Sequence, residues 1–301
     1  MRDDVIVSEV LAKCDVLIQA GFWPPGQIIR PNRWLNNFDE VDRGTAALLL
    51  DKFTFYNQRL TDALLGASYN SLGDGIPKGP AAPFPHEIIK SLSSAILIPV
   101  TGEDPNPADS GNLFCRKARQ VLDIPEALMS TPENAITHAD AGNTVVFVDD
   151  FIGSGDQFLK TWRRRSAHGK GTSFEDISNS KDKDFIAIYI SLVATEYGLD
   201  AIFREAPKVV VSVTHILGQN SKVQNMGKDV DEQRRIDDFL RKYSSRLEPK
   251  EDYIRHNLDY LIYGYKERGL LFGFEHSIPD ATLPIFWAPG NNNWEPLIER
   301  K

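Results

Sequence analysis

Residues 144–158 read T-V-V-F-V-D-D-F-I-G-S-G-D-Q-F, and this stretch restricts the fold of the chain more tightly than any other. The four apolar residues Val145, Val146, Phe147 and Val148 predict a short strand buried on both faces. The strand ends in two adjacent acids, Asp149 and Asp150. Gly153-Ser154-Gly155 follows, just ahead of a segment with helical spacing at 157–165. A strand, a glycine turn and a helix in that order predict one βα unit of a parallel sheet. In such sheets ligands bind at the carboxyl ends of the strands, which is where this acidic pair falls.

Packing explains two neighbouring carboxylates poorly, because an unpaired buried charge is expensive. They suit the two hydroxyls of a ribose, bound directly or through a hydrated Mg²⁺. Glycines let the backbone turn sharply and come close to a ligand. The N–H groups of a helix start, with the Ser154 hydroxyl, make an anion site suited to a sugar 5′-phosphate. Asp149 and Asp150 are therefore the candidate catalytic and Mg²⁺-holding residues, and Gly153, Ser154, Gly155, Asp156 and Gln157 the candidate ligand-binding loop. A nucleotide-binding turn of another kind and an acidic pocket of response-regulator type are the plain alternatives.

The flanking pattern agrees with the unit. Apolar runs at 95–100, 185–193 and 208–216 predict strands, and 113–122, 157–165 and 195–206 predict helices. That alternation gives an α/β fold, a parallel sheet flanked by helices with right-handed crossovers. Before it, residues 5–20 predict a helix stopped by Gly21 and Pro24-Pro25-Gly26. Leu49, Phe53, Tyr56, Leu60 and Leu64 recur at steps of three and four, which predicts one long helix over 41–65. The Gly- and Pro-rich residues 71–85 read as a linker. After the core, 231–247 and 248–266 predict helices, and 270–274 and 283–287 two short strands. The expected organisation is a helical N-terminal extension at 1–85, the α/β core at 86–218, and a helical C-terminal extension at 219–301 with two short strands packing on the core.

The central segment resembles the phosphoribosyl pyrophosphate (PRPP) motif of type I phosphoribosyltransferases: an apolar strand, two acids, two apolar residues and a Thr/Ser-Gly loop. Asp149 and Asp150 match the acidic pair, and Ser154-Gly155 the loop centre. The resemblance spans roughly 95–216. Asp156 and Gln157 stand where that family has a small or basic residue followed by Thr or Ser. Asp156 puts negative charge beside the expected phosphate, which weakens binding by about 1 kcal/mol or more unless the side chain points away. Residues 122–143 are also short for the hood that closes over PRPP.

Two flanking segments sharpen the likeness: P-N-R-W-L-N-N-F at 31–38 and I-P-D-A-T-L-P-I-F-W at 278–287. They resemble phosphoribosyltransferase-like proteins of bacterial conflict systems, including effectors encoded beside retron reverse transcriptases. The resemblance implies an anti-phage effector that binds PRPP or a nucleotide with Mg²⁺ and acts at the ribose anomeric carbon. It also implies an oligomer, in a complex with a reverse transcriptase and noncoding nucleic acid or with a partner defence protein. The rival expectation is a non-catalytic nucleotide-sensing or scaffold subunit, favoured by Asp156 and Gln157. A nucleic-acid-binding regulator is a third.

Net charge −8 counts against a protein that coats nucleic-acid phosphate. Cys14 and Cys115 are the two cysteines and lack C-x-x-C spacing, so neither a disulfide framework nor a structural zinc site is expected. An acidic N-terminus without a long apolar run, and the lack of a membrane-length span, predict a cytoplasmic protein with no membrane partner. Glu103 and Asp104 fall where this fold contacts pyrophosphate, with a solvated loop as the plain reading. Arg116, Lys117 and Arg119 lie on the next helix, where they read as a solvated face or as cations facing phosphate, and Arg163-Arg164-Arg165 as a helix C-terminal complement or a nucleic-acid contact. His215 and His276 read as structural, and Trp23, Trp34, Trp287 and Trp294 as packing residues of the added layers.

Overall fold

The computed structural model describes residues 2–73, 80, 83–101, 106, 109–167, 171–182, 185–248 and 259–300. Seven strands are present among them: β1 (Thr54–Tyr56), β2 (Ile96–Pro99), β3 (Val145–Val148), β4 (Phe151–Ile152), β5 (Ala187–Thr195), β6 (Val210–Leu217) and β7 (Phe272–Phe274). The chain forms two compact units, one of residues 61–217 and one that joins 1–60 to 218–301.

The 61–217 unit holds a five-stranded sheet in which β2 pairs with β3, β3 and β4 with β5, and β5 with β6, every pair parallel. The expected α/β class is thus the observed one. Val145 pairs with Ala187 and Phe151 with Val193, the same offset on both sides of Asp149-Asp150. β3 and β4 are therefore one strand of unbroken register, interrupted only at the acidic pair.

One face of the sheet, formed by Ile96, Ile98, Val145, Phe147, Ala187 and Tyr189, packs on helices Pro132–Asp140, Asp156–Arg163, Phe174–Asn179 and Glu196–Glu205. Three of these helices start where side-chain caps stand. Thr131 accepts from the Asn134 N–H, Thr195 accepts from the Gly198 N–H, and Ser173 with Asp176 forms a capping box. The other face carries Leu97 and Val146, which line a cavity of about 120 Å³ with Tyr69, Leu92 and Leu122.

The boundary expected at 85 falls inside this unit. Ser68 Oγ donates to the Ser191 carbonyl at 2.8 Å, and Ser71 Oγ pairs with Ser212 Oγ at 2.8 Å. Those bonds tie the end of helix Gln58–Asn70 to β5 and β6.

The second unit corrects two expectations. The long helix over 41–65 is instead helix Arg43–Lys52, strand β1 and helix Gln58–Asn70. Phe53 and Tyr56 are buried as expected, but Phe53 closes helix Arg43–Lys52 and Tyr56 lies in β1, which pairs in parallel with β7, so their three-residue spacing spans a helix end and a strand rather than one helix face. Of the two late strands, 270–274 contains β7, whereas Pro284–Phe286 is a 3₁₀ turn. Pro284 has no N–H to give a ladder, which favours a turn at that point. The expected helix over 248–266 is seen as Tyr260–Tyr263, and residues 249–258 lie outside the described set.

This unit has its own hydrophobic core, containing Trp23, Trp34, Trp287 and Trp294. Trp34 stacks on Phe286 at 5.1 Å, and its indole N–H donates to the Ile285 carbonyl. Phe38 meets Phe239, Tyr243 and Trp294 within 5.6 Å.

Candidate functional site

Asp149 and Asp150 lie where β3 passes into β4, and both are buried, at 1% and 5% exposure. Asp149 Oδ1 accepts from Ser110 Oγ at 2.6 Å and from the Asp150 N–H at 2.9 Å. Burial and the neighbouring Asp150 charge push the Asp149 carboxyl well above the ordinary carboxylate range, while the Ser110 bond works against them. The pair thus holds a proton more firmly than two exposed acids would.

Ser110 was not singled out by sequence reasoning. It opens helix Ser110–Val121, the next described helix after β2 in the chain. Its approach depends on Gly111: a Cβ there would lie 2.2 Å from the Val100 carbonyl oxygen and 2.8 Å from the Val100 nitrogen. Both are backbone atoms that cannot rotate away. Gly111→Ala is expected to destabilise the protein by about 1–3 kcal/mol, read as a lower urea midpoint. An unchanged midpoint would show that the helix start yields freely.

The glycine loop is pinned from behind. Thr195 Oγ1 donates to the Gly153 carbonyl and also caps the next helix. Gly198 lies so close that a Cβ would come within 2.6 Å of the same carbonyl oxygen. Gly155 has φ +82°, a left-handed conformation that glycine adopts without strain. Helix Asp156–Arg163 starts there, its first bond running from the Leu159 N–H to the Gly155 carbonyl. The N–H groups of Gln157 and Phe158 precede that bond and point out of the helix start.

Asp156 does not point away from the loop. Ser154 Oγ donates to Asp156 Oδ2 at 2.8 Å and accepts from the Asp156 N–H at 3.3 Å. The chain's own carboxylate therefore engages the hydroxyl that was expected to face a phosphate.

The remaining candidates fall in ordinary surroundings. Glu103 and Asp104 lie outside the described residues. Lys117 is buried against Asp62, and Arg119 pairs with Glu126 at 2.9 Å. Arg163 binds Glu175 and Glu205, Arg164 donates to Thr101 Oγ1 at 2.7 Å, and Arg165 faces Asp176 at 3.8 Å. The basic cluster is thus matched by acids. A cleft of about 430 Å³ runs along the outer side of this helix, lined by Asp156, Leu159, Lys160, Arg163, Arg164 and Glu205 but by neither Asp149 nor Asp150. Burial pushes the Cys14 thiol up to about 12 and the Cys115 thiol upward too, so neither is a ready nucleophile. Among the described residues no cluster of three or more His, Cys, Asp or Glu could hold a metal ion, and no helix is long and apolar enough to cross a membrane.

Comparison with known proteins bears on this arrangement. A family model, PRTase-CE, matches residues 31–300. The chain belongs to the PRTase-CE family. The match begins at Pro31 of the P-N-R-W-L-N-N-F segment and takes in the acidic pair, the glycine loop and the I-P-D-A-T-L-P-I-F-W segment. The chain is thus phosphoribosyltransferase-like.

Solved structures similar to the chain include the AQ2163 protein from Aquifex aeolicus, at 14% identity and TM-score 0.31, covering 67% of this chain and 92% of that one. Orotate phosphoribosyltransferase from Aeropyrum pernix matches at 15% identity and TM-score 0.29, covering 53% and 71%. A Neisseria gonorrhoeae protein solved with bound ppGpp matches at 11% identity and TM-score 0.28, covering 60% and 93%. With scores this low, the PRTase-CE assignment rests on the family model, and the α/β architecture on the strand pairing. No curated protein matches the chain.

Proposed function

We propose that the 61–217 unit binds a ribosyl ligand, PRPP or a nucleotide in the first instance, and acts at its anomeric carbon. The observation that carries this reading is the acidic pair set in a strand of unbroken register, directly ahead of a glycine loop that opens a helix. Asp149 and Asp150 accept from the two ribose hydroxyls, and residues 153–157 receive the 5′ end of the sugar. The bond from C1′ to its leaving group breaks, the electron pair departs with that group, and the acceptor bonds to C1′. Positive charge developing on the ring is met by the acidic pair, so positioning and electrostatics supply the rate without a dedicated nucleophile.

Two adjacent carboxylates suit Mg²⁺, which is commonly held by one or two acids and keeps several waters. Mg²⁺ bound there would neutralise charge on the leaving group.

One observation favours a second reading, a non-catalytic sensing or scaffold subunit: Asp149 is fully covered and already held by Ser110. Under either reading the biological setting proposed is an anti-phage effector system of retron type, supported by the likeness of the 31–38 and 278–287 segments to such proteins.

Isothermal titration with PRPP and nucleotides in the presence of Mg²⁺ tests the site. Wild type should bind one of them, and Asp150→Ala should lose at least about tenfold in affinity. Nucleotide profiles of cells expressing wild type or the Asp149→Ala/Asp150→Ala variant then separate the two readings. A changed pool in wild type alone marks an enzyme. Absence of binding by folded wild type sinks the site.

A further inference from the structure

The side chain of Asp149 is oriented by a residue that lies 39 positions earlier in the chain. Ser110 Oγ donates to Asp149 Oδ1 at 2.6 Å, the short end of the range for such bonds, and the same oxygen accepts from the Asp150 N–H at 2.9 Å. Each carboxylate oxygen offers about two acceptor sites, so Oδ1 is filled and a further donor has to be met at Oδ2. Two donors on one oxygen also fix the plane of the carboxyl, whose final torsion is otherwise soft.

The hydroxyl is brought there by the fold rather than by its own bond. The Val100 N–H donates to the Val148 carbonyl at 3.0 Å, which sets the end of β2 beside the end of β3. Gly111 then lies against the Val100 backbone too closely for any side chain. Further along the same helix Phe114 and Ala118 are fully buried. A backbone contact and a packed face thus hold the helix, and with it Ser110, against Asp149. Groups that must meet a ligand within a fraction of an ångström are held by supporting side chains placed in this way.

Resting on the ribosyl reading above, we propose that Ser110 is a positioning residue: it holds the Asp149 carboxyl in the orientation that accepts from one ribose hydroxyl, and so strengthens the preference of the site for ribose over a deoxy sugar. Without it the carboxyl keeps the Asp150 N–H alone and has to be ordered again each time a ligand binds. A bond that merely satisfied a buried acid would serve the fold and leave the choice of sugar untouched.

The test is isothermal titration of the full chain in Mg²⁺ with PRPP, ribose 5-phosphate and the four ribonucleoside 5′-monophosphates, and with the 2-deoxy and 3-deoxy counterparts of those that bind. Wild type, Ser110→Ala and Ser110→Thr are compared, with thermal melts to show each variant folded. Wild type should favour the ribose form over at least one deoxy form by about tenfold or more. Ser110→Ala should weaken the ribose form by about tenfold and that deoxy form much less, whereas Ser110→Thr, which keeps the hydroxyl, should stay within about threefold of wild type. If the alanine variant does not fold, Ser110→Cys, a weaker donor, takes its place on the same criteria. A wild type indifferent to the hydroxyls, a Ser110→Ala that binds as wild type or weakens ribose and deoxy forms by one factor, or a folded Ser110→Thr as weak as Ser110→Ala would overturn the positioning role and leave the ribosyl site standing. Failure of every folded form to bind any of these sugar phosphates would overturn both.

Discussion

Trp162→Ala is expected to lower the stability of the 61–217 unit by about 3–5 kcal/mol, the largest effect among the substitutions considered. Trp162 is 1% exposed and stacks with Phe158, Phe174 and Phe185 at centroid distances of 5.8, 6.1 and 6.0 Å. Phe147 of β3 approaches the same indole at 6.0 Å. Truncation removes a ring that four others touch, and rings set in a sheet and two helices cannot collapse far into the void. Urea denaturation followed by circular dichroism measures the change. A midpoint within error of wild type would mean that this aromatic stack does not hold the unit together. Because Trp162 lies on the helix that begins at Asp156, the variant should also loosen the glycine loop before the sheet itself unfolds.

The second large effect concerns Asp149 and runs in the opposite direction. Asp149→Asn should stabilise the protein at neutral and alkaline pH by about 1–4 kcal/mol, because a neutral isostere replaces a buried acid. The sign follows from linkage. The folded state raises the Asp149 carboxyl above its ordinary 3.8, so between that value and the raised one the folded form binds more protons than the unfolded form. Stability contributed by this group is therefore greatest below the ordinary value and falls as pH rises through the window between the two. Asparagine keeps an oxygen that can accept from Ser110 and from the Asp150 N–H, and it does not titrate. The two proteins should melt alike near pH 4 and diverge as pH increases. Melting temperatures across that range decide it, and parallel curves would show that Asp149 carries no such burden. A gain in stability with loss of ligand binding would mark the acidic pair as retained for function at the expense of the fold.

Much of this site is legible from the sequence because its signals are local. The V-V-F-V run is β3 with the bounds its apolar residues suggest, and the acids and glycines follow it within a few positions. What escapes is set by residues far apart in the chain. Ser110 meets Asp149 across 39 positions, and no spacing rule links them. Nor does spacing reveal that the Asp156 side chain folds back onto Ser154, since a helix-opening acid reads the same whichever way it points. In the other unit, Phe53 and Tyr56 satisfy a helical interval although a helix end and a strand separate them, and the partner that makes the strand, β7, lies more than two hundred residues further on. The boundary near 60 is hidden for a related reason. Serine hydroxyls at 68 and 71 bind strands made much later, whereas the Gly- and Pro-rich composition after 71 draws the eye to a linker.

The joining of 1–60 to 218–301 has a consequence for how the protein is made. Its β1–β7 pair and its Ile29–Ile298 bridge each need strands from both ends of that range. During synthesis the sheet-bearing unit emerges whole and can close while translation continues. The unit that starts first must wait, with Trp34 and Phe38 lacking their partners Phe286 and Trp294, until the ribosome has delivered residues near 298. Nascent chains stalled in between would expose that aromatic surface, which makes the early segment the natural client of a chaperone.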